Sequence, residues 1–287
     1  MMPYRRRVMV FLVCVAGALA LMGGPVRDMV LKGRPKDYYT HIPLIPAISA
    51  YVLFKRKDVL CRNEPGSPLG GLAIAGGLGL VVIDTVSRPG LVGRAELVVT
   101  GAVLILAGTF LALFGKRSFR RTLFPFLFLV FMIPLPASMM SAIVSALVTA
   151  STGMTSLLFK ALGVPFVQEG AYFHLPVFDI EVAQECSGIR SSIALAITTV
   201  LAGHIFLDKF WKKVLLVLAV FPVTVLKNGV RILSLYLLSY FIDIKIIEGG
   251  FLHRSGGFIF FGLGLVILGY VLWILRKPSS VTQADRD

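Results

Sequence analysis

The chain predicts an all-α integral membrane protein with about eight transmembrane helices and a short hairpin-like outer loop ahead of Cys186. Three observations carry that fold class. Of 287 residues, 56% are apolar and 15% charged, with a mean hydropathy of +0.84, which is outside the balance of a soluble domain. The apolar residues form long blocks parted by short charged stretches, and a hydrocarbon core of about 30 Å takes about 20 helical residues per crossing. The basic residues gather at the ends of those blocks.

Taken in order, the expected spans cover residues 8–24, 40–54, 69–86, 97–114, 122–140, 190–207, 214–243 and 257–275. The first follows Arg5-Arg6-Arg7 and is retained, because no small-residue cleavage site precedes Pro25. The second is short and holds Pro43 and Pro46. Residues 122–162 are one apolar stretch interrupted by Pro134 and Pro136. They are read as one crossing before the prolines, with an interfacial or re-entrant segment after them. Residues 1–277 are thus a single membrane domain, and the polar tail 278–287 is expected to be disordered.

Orientation follows from the basic clusters Arg5 to Arg7, Lys55 to Lys57, Lys116 to Arg121, Lys209 to Lys213 and Arg276-Lys277, which fall on alternate connections and so face the cytoplasm. Arg27, Lys32, Arg34 and Lys36, on the supposed outer side, are an exception. The loop from Gly163 to Glu185 then lies outside. It alternates apolar and polar residues around a glycine, as a short hairpin would, and leads to Cys186 at the head of the next helix.

A formal charge of +14 would suit a nucleic-acid binder, but its placement at span ends assigns it to membrane orientation, and no nucleic-acid partner is expected. Cys14, Cys61 and Cys186 are odd in number and lack a short metal-type spacing, so no disulfide framework and no metal site is indicated. No Gly-rich phosphate loop, His-Glu-x-x-His helix or paired intramembrane carboxylates occur, and no cofactor is implied.

Three reactive groups fall near one predicted membrane face. Cys186 sits in Glu185-Cys-Ser-Gly-Ile-Arg190, Arg231 lies late in the seventh span, and His253 precedes the last. A thiol attacks a peptide carbonyl as thiolate, and a helix N-terminus, a histidine or an arginine each favours that form. An imidazole can move a proton near neutral pH, and a guanidinium can hold a carboxylate or an oxyanion. Each residue also has a plain reading. Cys186 could be a packed apolar thiol, Arg231 with Lys227 and Asn228 could mark a helix break near Gly229 with charges snorkelling to headgroups, and His253 could flank a helix in solvent. Ionisable groups inside a span are costly enough to weigh toward function. His204 and His174 fit the site less well, and His41 is a reserve candidate.

The string Ala183-Gln-Glu-Cys186-Ser-Gly-Ile-Arg190-Ser, then Asn228-Gly-Val-Arg231-Ile, then Leu252-His253 with Gly257 opening a final apolar helix, resembles the exosortase/archaeosortase family. Tyr39-Thr-His41-Ile-Pro-Leu-Ile-Pro46 with Ser49, and Ile133-Pro-Leu-Pro136, resemble that family's upstream signatures, so the likeness covers most of the chain. The resemblance implies a multi-pass protein of the cytoplasmic (inner) membrane with Cys186 as nucleophile and Arg231 and His253 completing an extracytoplasmic site. His41, Asn228 and Arg190 are candidate substrate-binding residues. It further implies a cysteine transpeptidase or protease that cleaves the C-terminal sorting signals of secreted proteins through a thioacyl intermediate. The expected partners are membrane lipids, secreted substrates with a sorting motif, a transmembrane helix and a basic end, and an amine or other acceptor.

Two other classes remain. A transporter or lipid-handling protein would bind an anionic group at a helix broken near Lys227 and Arg231, and its transport would survive Cys186→Ser but not Arg231→Ala. A non-enzymatic partner in polysaccharide export would tolerate any single change that leaves folding intact.

Overall fold

The structure, a computed structural model, describes residues 3–32, 39–56, 58, 64–86, 94–176, 178–182, 188–241 and 251–277, leaving aside the side chains of 28–32, 94 and 251–256. Cys61, Cys186 and the tail 278–287 lie outside the described residues. The chain divides into two compact units, Met1–Met139 and Met140–Asp287.

In the first unit, α1 (Tyr4–Lys32), α2 (Leu44–Phe54), α3 (Leu69–Val86), α4 (Arg94–Arg121) and α5 (Leu123–Phe128) are followed by a 3-10 turn, Leu129–Met132. Helix α3 packs closely on α4 because glycines face each other: a Cβ on Gly77 would stand 2.6 Å from Gly101 O, and one on Gly108 would stand 2.8 Å from Gly70 O. Such contacts let backbones approach where apolar burial gives little drive between helices in lipid. Helix α1 meets α4 through Phe11, edge-on to Phe110 at 5.5 Å. Arg7, 7% exposed, donates to Glu64 O at 3.0 Å, and the Glu64 carboxylate accepts the Ser118 N–H, so a buried charge is absorbed by backbone groups.

The second unit holds α6 (Ala137–Ala161, whose first turn precedes the boundary), strands β1 (Val167–Glu169), β2 (Tyr172–His174) and β3 (Asp179–Glu181), then α7 (Ile189–Phe206), α8 (Phe210–Leu218), α9 (Val220–Phe241) and α10 (Phe251–Arg276). The strands form an antiparallel sheet in the order β1-β2-β3. Glu169 pairs with Tyr172 across a two-residue turn, Gly170-Ala171, in which Gly170 takes φ 61° and Ala171 does not go positive. That is the glycine-first pattern of a type II′ hairpin turn. The expected hairpin is present, and a third strand joins it.

Among the described residues, seven helices are long and apolar enough to cross a membrane: Tyr4–Arg27, Leu69–Val86, Ala95–Arg121, Ala137–Ala161, Ile189–Phe206, Phe210–Phe241 and Gly257–Arg276. The chain is therefore a multi-pass helical membrane protein. Two expected spans differ. The second is an 11-residue helix, Leu44–Phe54, half the length of a crossing. The span expected at 122–140 lies beyond the prolines, at Ala137–Ala161, and Leu123–Met132 is short. Ile133 is extended at ψ 119°, the conformation a following proline imposes, so Pro134 and Pro136 end the short segment and release a new helix at Ala137.

Candidate active site

The sheet is fixed to the helices by aromatic packing. Phe173 and Phe159 are fully buried, their rings edge-on at 5.4 Å, and Tyr236 of α9 lies 5.3 Å from Phe159. Edge-to-face rings contribute about 0.5–1.5 kcal/mol beyond the area they bury. Val182, 1% exposed, donates its N–H to Ala171 O at 2.9 Å. On the sheet's other face, His174 Nδ1 lies 3.0 Å from Asp179, its cross-strand partner. The Tyr172 hydroxyl bonds to Glu181 opposite it, and that bond, with the carboxylate's negative charge, raises the phenol above its ordinary range.

Beyond Val182 the described chain resumes at Gly188, the N-cap of α7. Gly188 adopts φ 71°, a left-handed conformation that costs residues with a Cβ about 1–2 kcal/mol. Its carbonyl accepts from Ser191 Oγ at 2.8 Å, Ser192 Oγ at 2.7 Å and Ser192 N at 2.9 Å, which locks the entry into the helix. A Cβ on Gly188 would stand 3.2 Å from Lys227 Nζ and 3.4 Å from Asn228 Oδ1, so the head of α7 rests against the middle of α9. Lys227 donates to Ser191 Oγ at 2.6 Å. Arg231 is one turn beyond Lys227 on the same face of α9 and is half-buried.

Helix registers set the levels of the remaining groups. Gly203 of α7 packs on Leu216, and counting equal steps along these antiparallel elements brings Gly188 about level with Arg231. Gly264 of α10 packs on Leu195, and Arg276 lies over the Phe206 ring at 5.9 Å. Both contacts keep nearly the same residue offset, so α7 and α10 run parallel, and the backbone of His253 lies about one turn beyond the level of Gly188.

The structure thus gathers Asn228, Arg231 and the backbone of His253 around the head of α7. Arg190 is exposed in the first turn of that helix. His41 belongs to the first unit, where its Nε2 meets Phe131 O at 3.2 Å and Tyr39 Oη donates to Leu135 O at 3.5 Å, so the two upstream motifs touch each other. His204 lies near the far end of α7, His174 on the sheet, and Cys14 half-buried in α1. Among the described residues no cluster of His, Cys, Asp or Glu could hold a metal ion.

One sequence reading is overturned here. Helix α9 is unbroken from Val220 to Phe241, and Lys227 is 3% exposed and Asn228 1% exposed, so no break occurs near Gly229 and Lys227 does not snorkel. Gly229 serves packing instead: a Cβ there would stand 2.7 Å from Met154 Cγ on α6. Sequence reasoning also passed over Ser191, the hydrogen-bond partner of Lys227. The available signal was a lysine inside a 22-residue helix that contains no acidic residue.

These features define a polytopic membrane protein with a polar cluster set between the helices of its second half. The chain belongs to the transmembrane exosortase family, whose model (Exosortase_EpsH) matches residues 33–270. Membership gives it a membrane transpeptidase role in general, in a family that acts on secreted substrates bearing sorting signals. No curated protein and no solved structure matches the chain.

Proposed function

We propose that the protein is a cysteine transpeptidase that cleaves C-terminal sorting signals on the extracytoplasmic face, with Cys186 as nucleophile. The observation that carries this reading is the contact of Gly188, which follows Cys186 by two residues in the sequence, with Lys227 and Asn228 on the face of α9 that bears Arg231. The thiolate sulfur of Cys186 bonds to the substrate carbonyl carbon, and the carbonyl π pair moves to oxygen. When the pair returns, the C–N bond breaks and His253 supplies the proton that the departing nitrogen needs. An amine or water then attacks the thioacyl carbon and gives its proton to His253, which the previous step left neutral, the S–C bond breaks, and the sulfur leaves as thiolate. Arg231, at the level of Gly188, orients a substrate carbonyl or carboxylate through its fixed fork of donors.

Sidedness rests on the basic clusters. They stay on one side if α2 and its preceding turn cross and Leu123–Met132 does not, which leaves the sheet and the head of α7 outside. The transporter alternative loses its broken helix, since α9 is continuous.

The test is co-expression with a tagged substrate carrying a sorting motif, a transmembrane helix and a basic end. Tail removal by wild type together with full-length substrate in Cys186→Ala is the expected result. Equal processing by both would end the thiol mechanism.

A further inference from the structure

Lys227 and Asn228 present an unpaid electrostatic arrangement at the head of α7. The Lys227 stem runs past Gly264, its Cδ 3.4 Å from where a Cβ would stand, and its ammonium spends one of three donors on Ser191 Oγ. Among the described residues no carboxylate faces it. Asn228, 1% exposed, has no hydrogen-bond partner among the described residues at Oδ1 or at Nδ2. A buried amide left unpaired costs about 1–3 kcal/mol, and a buried charge more, so both groups are disfavoured until something polar reaches them.

What would satisfy them is narrowly defined. Lys227 Nζ and Asn228 Oδ1 both lie within 3.4 Å of the Cβ position of Gly188, and Ser191 Oγ lies 3.6 Å from it. Gly188 puts no side chain there, so one small atom can approach the ammonium and the amide together, whereas any Cβ would obstruct it. The N-cap of α7, Gly188, has no side chain with which to cap the first N–H groups of the helix, and Arg231 follows one turn along α9. Among the described residues the polar atoms nearest this spot are the Lys227 ammonium, the Asn228 side-chain oxygen and the Ser191 hydroxyl, and the ammonium is the charged one of the three, so an oxygen that gains negative charge is the partner it lacks.

We propose that Lys227 is a further catalytic residue, which with the Asn228 amide receives the substrate carbonyl oxygen as it becomes an oxyanion. This rests on the thiol mechanism above. As the S–C bond forms, the π pair placed on oxygen is met by the Lys227 ammonium and, with the unpartnered Asn228 amide turned over so that Nδ2 takes the place of Oδ1, by Asn228 Nδ2–H. The charge disperses when the pair returns and the C–N bond breaks, so both donors act most strongly in the transition state. Ser191, which donates to Gly188 O and accepts from Lys227, is a positioning residue that aims the ammonium.

The experiment uses the full chain in detergent with the same tail-bearing substrate, comparing wild type, Lys227→Met, Asn228→Leu and Cys186→Ala. Lys227→Met and Asn228→Leu are each expected to lower kcat about 100-fold with KM within about threefold of wild type. Asn228→Leu is also expected to hold or raise Tm, because it removes an unpaired buried amide, a gain that a merely structural asparagine would not give. A peptide aldehyde, whose thiohemiacetal oxygen mimics the oxyanion, should bind wild type more tightly than the matching alcohol and lose that advantage in Lys227→Met. If Cys186→Ala is inactive while both other variants keep kcat within about threefold, the pocket is overturned and the thiol mechanism stands. An active Cys186→Ala overturns the mechanism itself. Should Lys227→Met fail to fold, Asn228→Leu alone decides, and an unchanged kcat refutes the proposal.

Discussion

Gly188 shows how much one residue without a side chain can control. Its φ of 71° opens α7, and its bare Cα leaves beside Lys227 and Asn228 the position that a Cβ would take. Gly188→Ala therefore carries two penalties. The left-handed backbone costs about 1–2 kcal/mol with a Cβ present, and the new methyl stands 3.2 Å from the Lys227 ammonium. The variant is expected to fold with a lowered Tm and to process substrate at least about tenfold more slowly, since displacement at a reacting centre is expensive. Single-turnover assays beside thermal unfolding would check this, and full activity would show that nothing needs the space beside Gly188. Much of this was readable beforehand: Cys186, Arg231 and His253 stand out as reactive types at span ends, and Asn228 accompanies Arg231. The burial of Lys227 was not readable, because a lysine in an apolar segment either snorkels or stays inside, and only the neighbouring helices decide which.

At the scale of elements, glycines set how closely helices approach, and their neighbours in sequence differ sharply. Gly77 and Gly79 lie two residues apart on α3. A Cβ on Gly77 would stand 2.6 Å from Gly101 O, while one on Gly79 meets nothing within 4 Å. Gly77→Ala is expected to cost about 1–3 kcal/mol, because a backbone carbonyl cannot rotate aside as a side chain can. Gly79→Ala should be neutral or slightly stabilising, by up to about 1 kcal/mol from helix propensity. Denaturation of the two purified variants in one detergent would separate them, and equal stabilities would refute the packing account. The prolines illustrate the opposite situation. Pro134 and Pro136 announce a break in the sequence, yet the apolar run on either side is compatible with a crossing before them or after them. Ile133 goes extended and the long helix forms after them, Ala137–Ala161. The hairpin was legible from its alternation and Gly170, whereas strand β3 was not, since a three-residue strand carries too little pattern.

For the whole molecule, the membrane is the dominant constraint, and charge at the span ends is its readable record. The proposed orientation puts the sheet outside and the Lys209 to Lys213 connection inside, and it predicts that a single cysteine at Gln168 reacts with a membrane-impermeant thiol reagent on intact cells. One at Lys212 should react only after permeabilisation. The reverse pattern would invert the molecule and place the site in the cytoplasm. Lys212 already has a structural task that orientation alone would not reveal: its Nζ donates to Leu275 O at 2.5 Å, closing the C-terminal end of α10 against α8. The sequence by itself determined the solvent, because a mean hydropathy of +0.84 cannot be housed in water, and it singled out Cys186, Arg231 and His253 as the candidates for chemistry. The tertiary structure decided which of them meet. Pairings between helices depend on glycine contacts, registers and neighbours remote in the chain, and these brought Lys227, Asn228 and Ser191 to one place while holding His41 to Phe131 in the other half.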